Sequence, residues 1–242
     1  MNVLVIVAHP DDEVLGMGGT IKKFTKSKHN VKILFMATGI FSRRSSNYEN
    51  SSNYKTNKKD NEIMLTQAKK LQSDAKKAVK ILGVNDVEFE NFPDNEMDLV
   101  SNLEVTKKIE SVLDRFKPEL VFTHSPYDIN IDHRMVYNST LTATRPTQKT
   151  KVKTVYSFEV PSSTEWFFPS QFSPNTFVDI EKELSFKLKS LKAYKNEIRN
   201  YPHPRSIEAL ESIAKKWGTV SGFKAAEAFY LVRQLRKSFE NV

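Results

Sequence analysis

An unbroken apolar run at residues 3–7, Val-Leu-Val-Ile-Val, gives way at once to Ala8-His9-Pro10-Asp11-Asp12-Glu13. The next segment carries apolar residues at Val14, Leu15, Ile21 and Phe24 with polar ones between. A short run rich in β-branched residues reads as a buried strand, and the spacing after it is that of an amphipathic helix over 12–26. The chain therefore opens strand, polar loop, helix, and the pattern recurs. Residues 31–37 predict a second strand. Residues 62–82 predict a long helix ended by Gly83, a residue suited to the position just past a last turn. A strand at 87–89, an amphipathic helix over 103–116 stopped at Pro118, a strand at 120–122, a helix over 133–144 and a strand at 155–160 follow. Strands alternating with helices of this length build βαβ units. They predict an α/β fold, a Rossmann-like three-layer sandwich with a mostly parallel sheet and helices on both faces.

Beyond residue 160 the pattern changes. Residues 161–174 are irregular and aromatic, helices are predicted over 181–199 and 206–217, and 225–233 suits a strand or a helix equally. Residues 42–61 are rich in Ser, Asn, Lys and Tyr without apolar periodicity, as in a long loop or insertion. With no repeat and no linker, a single domain is expected over 1–242, its part from about 161 packed on the core and helping to line the site.

Composition narrows the chemistry. There is no cysteine, so a disulfide framework, a thiolate metal site and a cysteine nucleophile are all excluded, and any metal is held by His, Asp or Glu. The first apolar run has no basic stretch before it and acids soon after. It is neither a signal peptide nor a membrane span, which makes a cytoplasmic setting the default expectation. The formal charge of +8 raises nucleic acid, an anionic membrane or a phosphorylated substrate as partners. Its lysines, such as Lys69-Lys70 and Lys76-Lys77, lie in helical segments as solvated faces do, and no aromatic-interleaved basic groove exists, so nucleic acid is not an expected partner.

Ligands of such sheets bind beyond the carboxyl ends of the strands. The polar clusters at 9–13, 38–44 and 124–133 all fall just after predicted strands, so they share one rim. A helix N-cap would account for one Asp of the first cluster, but not for His9. His-x-x-Asp can place an imidazole and a carboxylate on one cation. His133, opening a predicted helix within Asn130-Ile131-Asp132-His133-Arg134, offers a third ligand, and catalytic zinc takes three protein ligands plus water. Two histidines and a carboxylate also describe a non-haem iron site, so Fe²⁺ stays open, although a neighbouring Asp11 fits hydrolysis better. Gly16-Met17-Gly18-Gly19 comes too late in its helix to cradle phosphate and reads as close helix packing. Trp166-Phe167-Phe168 suits a sugar face, a core or an interface.

The sequence A-H-P-D-D-E after the first strand, with a D-H pair after a later one, resembles the PIG-L/LmbE-like family of zinc-dependent de-N-acetylases. The similarity continues through Met36-Ala37-Thr38-Gly39 with Ser42-Arg43, and through Ile81-Leu82-Gly83-Val84 leading to Asn91-Phe92-Pro93-Asp94. Residues 159–166 and 202–206 resemble a bacterial branch associated with surface-sugar modification. The resemblance implies His9, Asp12 and His133 as ligands of Zn²⁺ and Asp11 as general base. It also implies removal of an N-acetyl group from an amino sugar or sugar nucleotide in surface-glycan or glycoconjugate biosynthesis. A bound metal would lower the pKa of its water toward about 7 and leave the proton to Asp11.

This chain departs from the family at Asn130, where many members have a histidine. An amide N–H there can donate to a developing oxyanion, typically worth about 3 kcal/mol, but cannot deliver a proton. Asp11 then works alone, or His124, Asp128 or Tyr127 substitutes. Lys70-Leu71-Gln72 stands where relatives often carry an arginine. Arg43, Asp128, His203 and Arg205 are the candidate substrate contacts, the last two stiffened by Pro202 and Pro204. Two alternatives remain open: a catalytically weak sugar-nucleotide-binding module on the same fold, and an amidase on a thiol-sugar conjugate. A homo-oligomer is compatible with the sequence.

Overall fold

The first strand, β1 (Asn2–Val7), feeds two cores at once. Val3, Val5 and Val7 point into one, and Leu4 and Ile6 into the other, as alternation dictates for a strand covered on both faces. The structure, a computed structural model, describes residues 1–42, 58–147, 152–168 and 171–238. After β1 come α1 (Asp12–Lys26), β2 (Asn30–Ala37), α2 (Lys58–Leu82), β3 (Asp86–Phe92), α3 (Asn102–Phe116), β4 (Leu120–His124), α4 (Ile131–Ala143) and β5 (Thr154–Phe158). The chain ends through β6 (Thr176–Asp179), α5 (Leu184–Leu191), α6 (Ile207–Ser221) and β7 (Ala226–Gln234).

The seven strands form one sheet in the order β3-β2-β1-β4-β5-β7-β6. β1 pairs in parallel with β2 on one side, Val3 opposite Val31, and with β4 on the other, Val3 opposite Leu120. Among the described strands, β7 runs antiparallel to both of its neighbours, β5 and β6. Helices α1, α2 and α5 pack together over one face, and α3 with α4 over the other, which is the expected three-layer α/β sandwich. The chain leaves β1 toward β2 and β3, then returns to β4 on the opposite side of β1. The crevice at the carboxyl ends of β1 and β4 is therefore the topological switch point, where open α/β sheets bind ligands.

Several elements differ from their sequence expectation. Helix α2 begins at Lys58, four residues earlier than its apolar spacing suggests, so 58–61 belong to the helix and not to the preceding loop. Residues 225–233 resolve as strand, and their partner β6 gave no signal because four half-buried residues carry little periodicity. The helix expected over 181–199 stops at Leu191. Tight turns follow, with Tyr194 N–H bonded to Leu191 O and Glu197 N–H to Tyr194 O, and these turns carry Tyr194 and Glu197 to the switch point.

Helix α1 also breaks its own ladder. Met17 sits at φ −145°, ψ 25°, kinking the helix, and the freed N–H groups of Gly19 and Thr20 donate to the two oxygens of Glu227 on β7 at 2.9 and 2.6 Å. Lys187 of α5 completes the buried cluster, its Nζ 2.7 Å from Glu227 Oε1. The glycines here are required by close approach, since a Cβ at Gly16 would lie 2.2 Å from Phe158 and one at Gly19 2.8 Å from Ile180. Among the described residues no helix is long and apolar enough to cross a membrane.

Candidate metal centre

The loop after β1 and the loop after β4 meet at the switch point. His9 follows β1, Asp12 opens α1 and His133 lies in the first turn of α4, and one donor atom of each falls within 4.8 Å of the others. Each imidazole is held by a carboxylate behind it. His9 Nε2 lies 3.1 Å from Asp94 Oδ1 and 3.0 Å from Asp132 Oδ2, while His133 Nδ1 lies 3.0 Å from Asp128 Oδ2. Such carboxylates fix the tautomer and turn the opposite nitrogen toward a common point. That nitrogen of His133, Nε2, and the neighbouring Asp12 Oδ1 are buried without a hydrogen-bond partner among the described residues.

A second group, His9 with Asp94 and Asp132, is equally close. Its carboxylates are already engaged: Asp132 accepts the N–H groups of Asn95 and Met97 at 2.6 and 3.1 Å, and Asp94 accepts that of Ser42 at 2.8 Å. Orphaned polar atoms are costly unless something fills the space between them. Two nitrogens and one carboxylate suit a borderline divalent ion such as Zn²⁺. The first group therefore fits a metal, and the second serves to hold His9.

Asp11 stands beside this set. It occupies the N-cap position of α1 but makes no side-chain capping bond, and its backbone is left-handed at φ 116°. For a non-glycine residue that conformation stores strain and needs external support. Glu13 supplies it by accepting the Asp11 N–H at 3.1 Å, and the buried Tyr194 hydroxyl in turn donates to Glu13 at 2.5 Å. The freed Asp11 carboxylate meets Arg205, Nη1 to Oδ2 at 3.0 Å. Burial raises its pKa to about 7, with Arg205 opposing and the charge of Asp12 adding. Burial likewise pushes Glu13 up to about 8 despite its bond from Tyr194. Burial alone would lower the pKa of His133, but Asp12 and Asp128 outweigh it and raise the group to about 9.

The remaining sequence candidates divide. Arg205 lines the cavity of about 240 Å³ that holds His9, Asp11, Asp94, Asn130 and Glu197, and its Nε donates to Ser162 at 2.6 Å. His203 stands one step back, its Nδ1 accepting the Arg205 N–H at 3.1 Å. Asp128, expected at the substrate, is fully buried instead, accepting from Ser163 and Thr164 at 2.9 and 2.7 Å behind His133. Arg43 lies outside the described residues. Asn130 is the N-cap of α4, its Oδ1 accepting the Asp132 N–H at 2.9 Å, which leaves Nδ2 as its donor to the cavity.

None of the residues considered as stand-ins for the family's histidine lines that cavity. His124 stacks on His133 at 4.0 Å and accepts the Ala8 N–H through Nε2. Burial, then the neighbouring His133, lowers its pKa to about 3, so it is a neutral structural group. Asp128 is behind His133, and Tyr127 lines a separate cleft. From Lys70-Leu71-Gln72, Leu71 reaches the cavity wall, and Arg199 joins Arg205 as a second guanidinium there. Trp166 and Phe168 are exposed rather than core.

Sequence reasoning gave no role to Asp94, Asp132, Glu197, Arg199 or Tyr194. Asp94 follows β3 and Asp132 precedes a nominated ligand, so the rim rule alone could have raised both. Nothing local marks the other three.

Comparisons with known proteins bear on the family and the fold. The sequence profile of PIG-L, GlcNAc-PI de-N-acetylase, matches residues 4–144. A diacetylchitobiose deacetylase of Thermococcus kodakarensis is 28% identical over 237 residues, covering 95% of this chain and 82% of the relative. Among solved structures, the N,N'-diacetylchitobiose deacetylase of Pyrococcus horikoshii superposes with a TM-score of 0.74 at 22% identity, over 96% of this chain and 84% of that one. GalB, the 4-carboxy-2-hydroxymuconate hydratase of Pseudomonas putida, superposes with a TM-score of 0.72 at 20% identity, over 100% and 99% of the two chains. One fold thus carries more than one reaction, and the choice between them rests on the site.

Proposed function

This chain belongs to the PIG-L, GlcNAc-PI de-N-acetylase, family, and on that premise we propose that it is a metal-dependent hydrolase removing the N-acetyl group of an amino sugar or sugar nucleotide. The carrying observation is the convergence of His9, Asp12 and His133, two of their donor atoms orphaned, beside an Asp11 carboxylate excluded from capping. In this reading 1–242 is one functional domain, because Arg205 and Glu197 from the C-terminal third help wall the cavity.

His9, Asp12 and His133 would hold the metal, Zn²⁺ in the first instance. When bound, such an ion supplies Lewis acidity and lowers the pKa of water toward about 7. The chain's own residues do the rest. Asp11 takes a proton from the attacking water and returns it to the departing nitrogen, so that amide and water become free amine and acetate with no covalent intermediate. Arg205 fixes the Asp11 carboxylate in one rotamer. Asn130 Nδ2 donates to the carbonyl oxygen as negative charge develops there, a role in which one donor is typically worth about 3 kcal/mol. Asp128, and Asp94 with Asp132, hold the imidazoles. Arg199 and Arg205 can anchor hydroxyl or phosphate groups of the substrate. A role in surface-glycan or glycoconjugate biosynthesis is the setting this chemistry suits.

Acetate release from a panel of N-acetylated sugars and UDP-sugars, with chelator, with added Zn²⁺ and with Asp11→Ala, tests the reading. Metal-dependent release lost in Asp11→Ala is expected. Binding of the same sugars without release by the metal-loaded wild type would replace it with the sugar-binding module.

A further inference from the structure

The catalytic cavity has a neighbour across the β4–α4 loop. Asn130 of that loop faces the catalytic cavity, whereas Ser125 and Tyr127 line a separate cleft of about 380 Å³, together with Tyr137, Ser157, Phe172 and Tyr230. Three peptide steps separate Tyr127 from Asn130, at most about 11 Å between Cα atoms, so the two spaces lie within the length of a short oligosaccharide.

The cleft exists because α4 packs on β1 and β4, leaving the same face of β5 and β7 open where Ser157 pairs with Tyr230. Its volume is that of a small-ligand pocket. Among the described residues, no ionisable acid or base other than tyrosine lines it, in a chain whose formal charge is +8. That lining argues against a phosphate or carboxylate ligand. Tyr127 and Tyr230 are each nearly half exposed. Tyr127, Tyr137 and Tyr230 all line this one space, and Tyr137 is harder to ionise than a free phenol, first through its partial burial and then through the nearby phenols of Tyr127 and Tyr230. Ser157 Oγ is buried at the floor without a hydrogen-bond partner among the described residues. Aromatic faces for C–H surfaces, interleaved with uncharged hydroxyls that both donate and accept, match a pyranose ring.

We propose that this cleft is a carbohydrate subsite holding a further sugar ring of the substrate, so that the enzyme acts on a glycan or glycoside longer than one residue. The proposal rests on the deacetylase reading only in placing both rings on one molecule; recognition of a sugar by the cleft does not need turnover.

The test compares N-acetylglucosamine with the linear trisaccharide built from it, on the metal-loaded wild type, Tyr230→Ala and Tyr127→Ala. The ratio of kcat/KM for trisaccharide over monosaccharide should fall about tenfold in either variant, the scale of one good aromatic contact. Calorimetric binding of the trisaccharide to chelator-treated protein should weaken alike. An unchanged ratio together with unchanged binding overturns the subsite while leaving the deacetylase intact. Absence of turnover with binding still lost in both variants sinks the deacetylase reading and keeps the sugar site. Light scattering provides a third arm: a wild-type oligomer dissociated by both substitutions would make the cleft an interface between copies and overturn the proposal.

Discussion

Replacing Asp128 by Asn should weaken the proposed metal centre without touching a proposed ligand. The Asp128 carboxylate is fully committed. Oδ1 accepts the Asn130 N–H at 2.8 Å, and Oδ2 faces Ser163 Oγ at 2.9 Å, Thr164 Oγ1 at 2.7 Å and His133 Nδ1 at 3.0 Å. An amide can adopt two orientations there, and each fails. With its NH₂ at the Oδ2 position, the serine and threonine hydroxyls can rotate to accept, but His133 must turn a lone pair to the amide and carry its proton on Nε2, the nitrogen aimed at Asp12. With the amide flipped, NH₂ opposes the Asn130 N–H, and the bond that orders the capping residue of α4 is lost. Loss of a carboxylate behind a ligating histidine typically lowers metal affinity about 10–100-fold, which is about 1.4–2.7 kcal/mol. Asp94→Asn makes the internal control. His9 Nε2 has Asp132 at 3.0 Å as well as Asp94 at 3.1 Å, so one carboxylate survives and the loss should stay below about tenfold. The assay is Zn²⁺ titration of stripped protein against a chromophoric chelator, with the His133 tautomer read from imidazole nitrogen shifts. Zn²⁺ affinity of Asp128→Asn within twofold of wild type, or a larger loss in Asp94→Asn, would refute the reasoning.

Three further outcomes follow from the same contacts. Asp11→Asn should cut turnover about 10²- to 10⁴-fold while the metal content measured by mass spectrometry is unchanged, because Asp11 is not among the converging donors. Glu227→Ala strips two backbone donors of their acceptor and isolates a buried Lys187, so urea unfolding should show a loss of about 3–5 kcal/mol; Lys187→Met, which leaves Glu227 its two N–H donors, should lose less, and the reverse order would count against the capping role. Glu159 has its pKa raised by burial, against the hydrogen bond it accepts from Trp217. The native state therefore holds that proton more tightly than the unfolded chain, and stability falls as pH rises from the ordinary carboxylate range through the raised value. Glu159→Gln, which keeps an acceptor for Trp217, should flatten that decline in thermal unfolding followed from pH 4 to 8.

How much was legible in the sequence depends on how local each signal is. β1 and the cluster after it were readable because a doubly covered strand is apolar at every position, and the rim rule then gathers whatever polar residues follow such strands. His9, Asp12 and His133 were gathered as candidates this way, whereas the role of base for Asp11 was implied by the family resemblance. Glu227 lies on a strand whose residues fitted a helix equally well, and its two acceptor bonds serve a kink more than 200 residues earlier. Tyr194 and Glu197 reach the site through turns within a stretch whose spacing looks helical. Asp128 was nominated as a substrate contact from its place on the rim, and such a place does not say whether a carboxylate faces the cavity or, as here, the back of an imidazole. Asn130 shows the same limit, since its carbonyl is taken by the helix it caps.

The kink in α1 reconciles two demands that a straight helix could not meet together. Its first turn is oriented by the site, through His9 N–H to Asp12 Oδ2 at 2.8 Å and through the bonds that tie Glu13 to Asp11 and Tyr194. Its remaining turns are oriented by packing, with Gly19 pressed on Ile180 and Gly18 on Lys187. A break at Met17 lets the two halves take different axes, and the helix bonds lost there are replaced by Glu227, itself neutralised by Lys187. The strained backbone of Asp11 is thus anchored to a short, site-specific turn, and core packing cannot relax it. The groups that compensate the kink, Glu227 and Lys187, and the Arg205 that meets the Asp11 carboxylate all come from the C-terminal third of the chain.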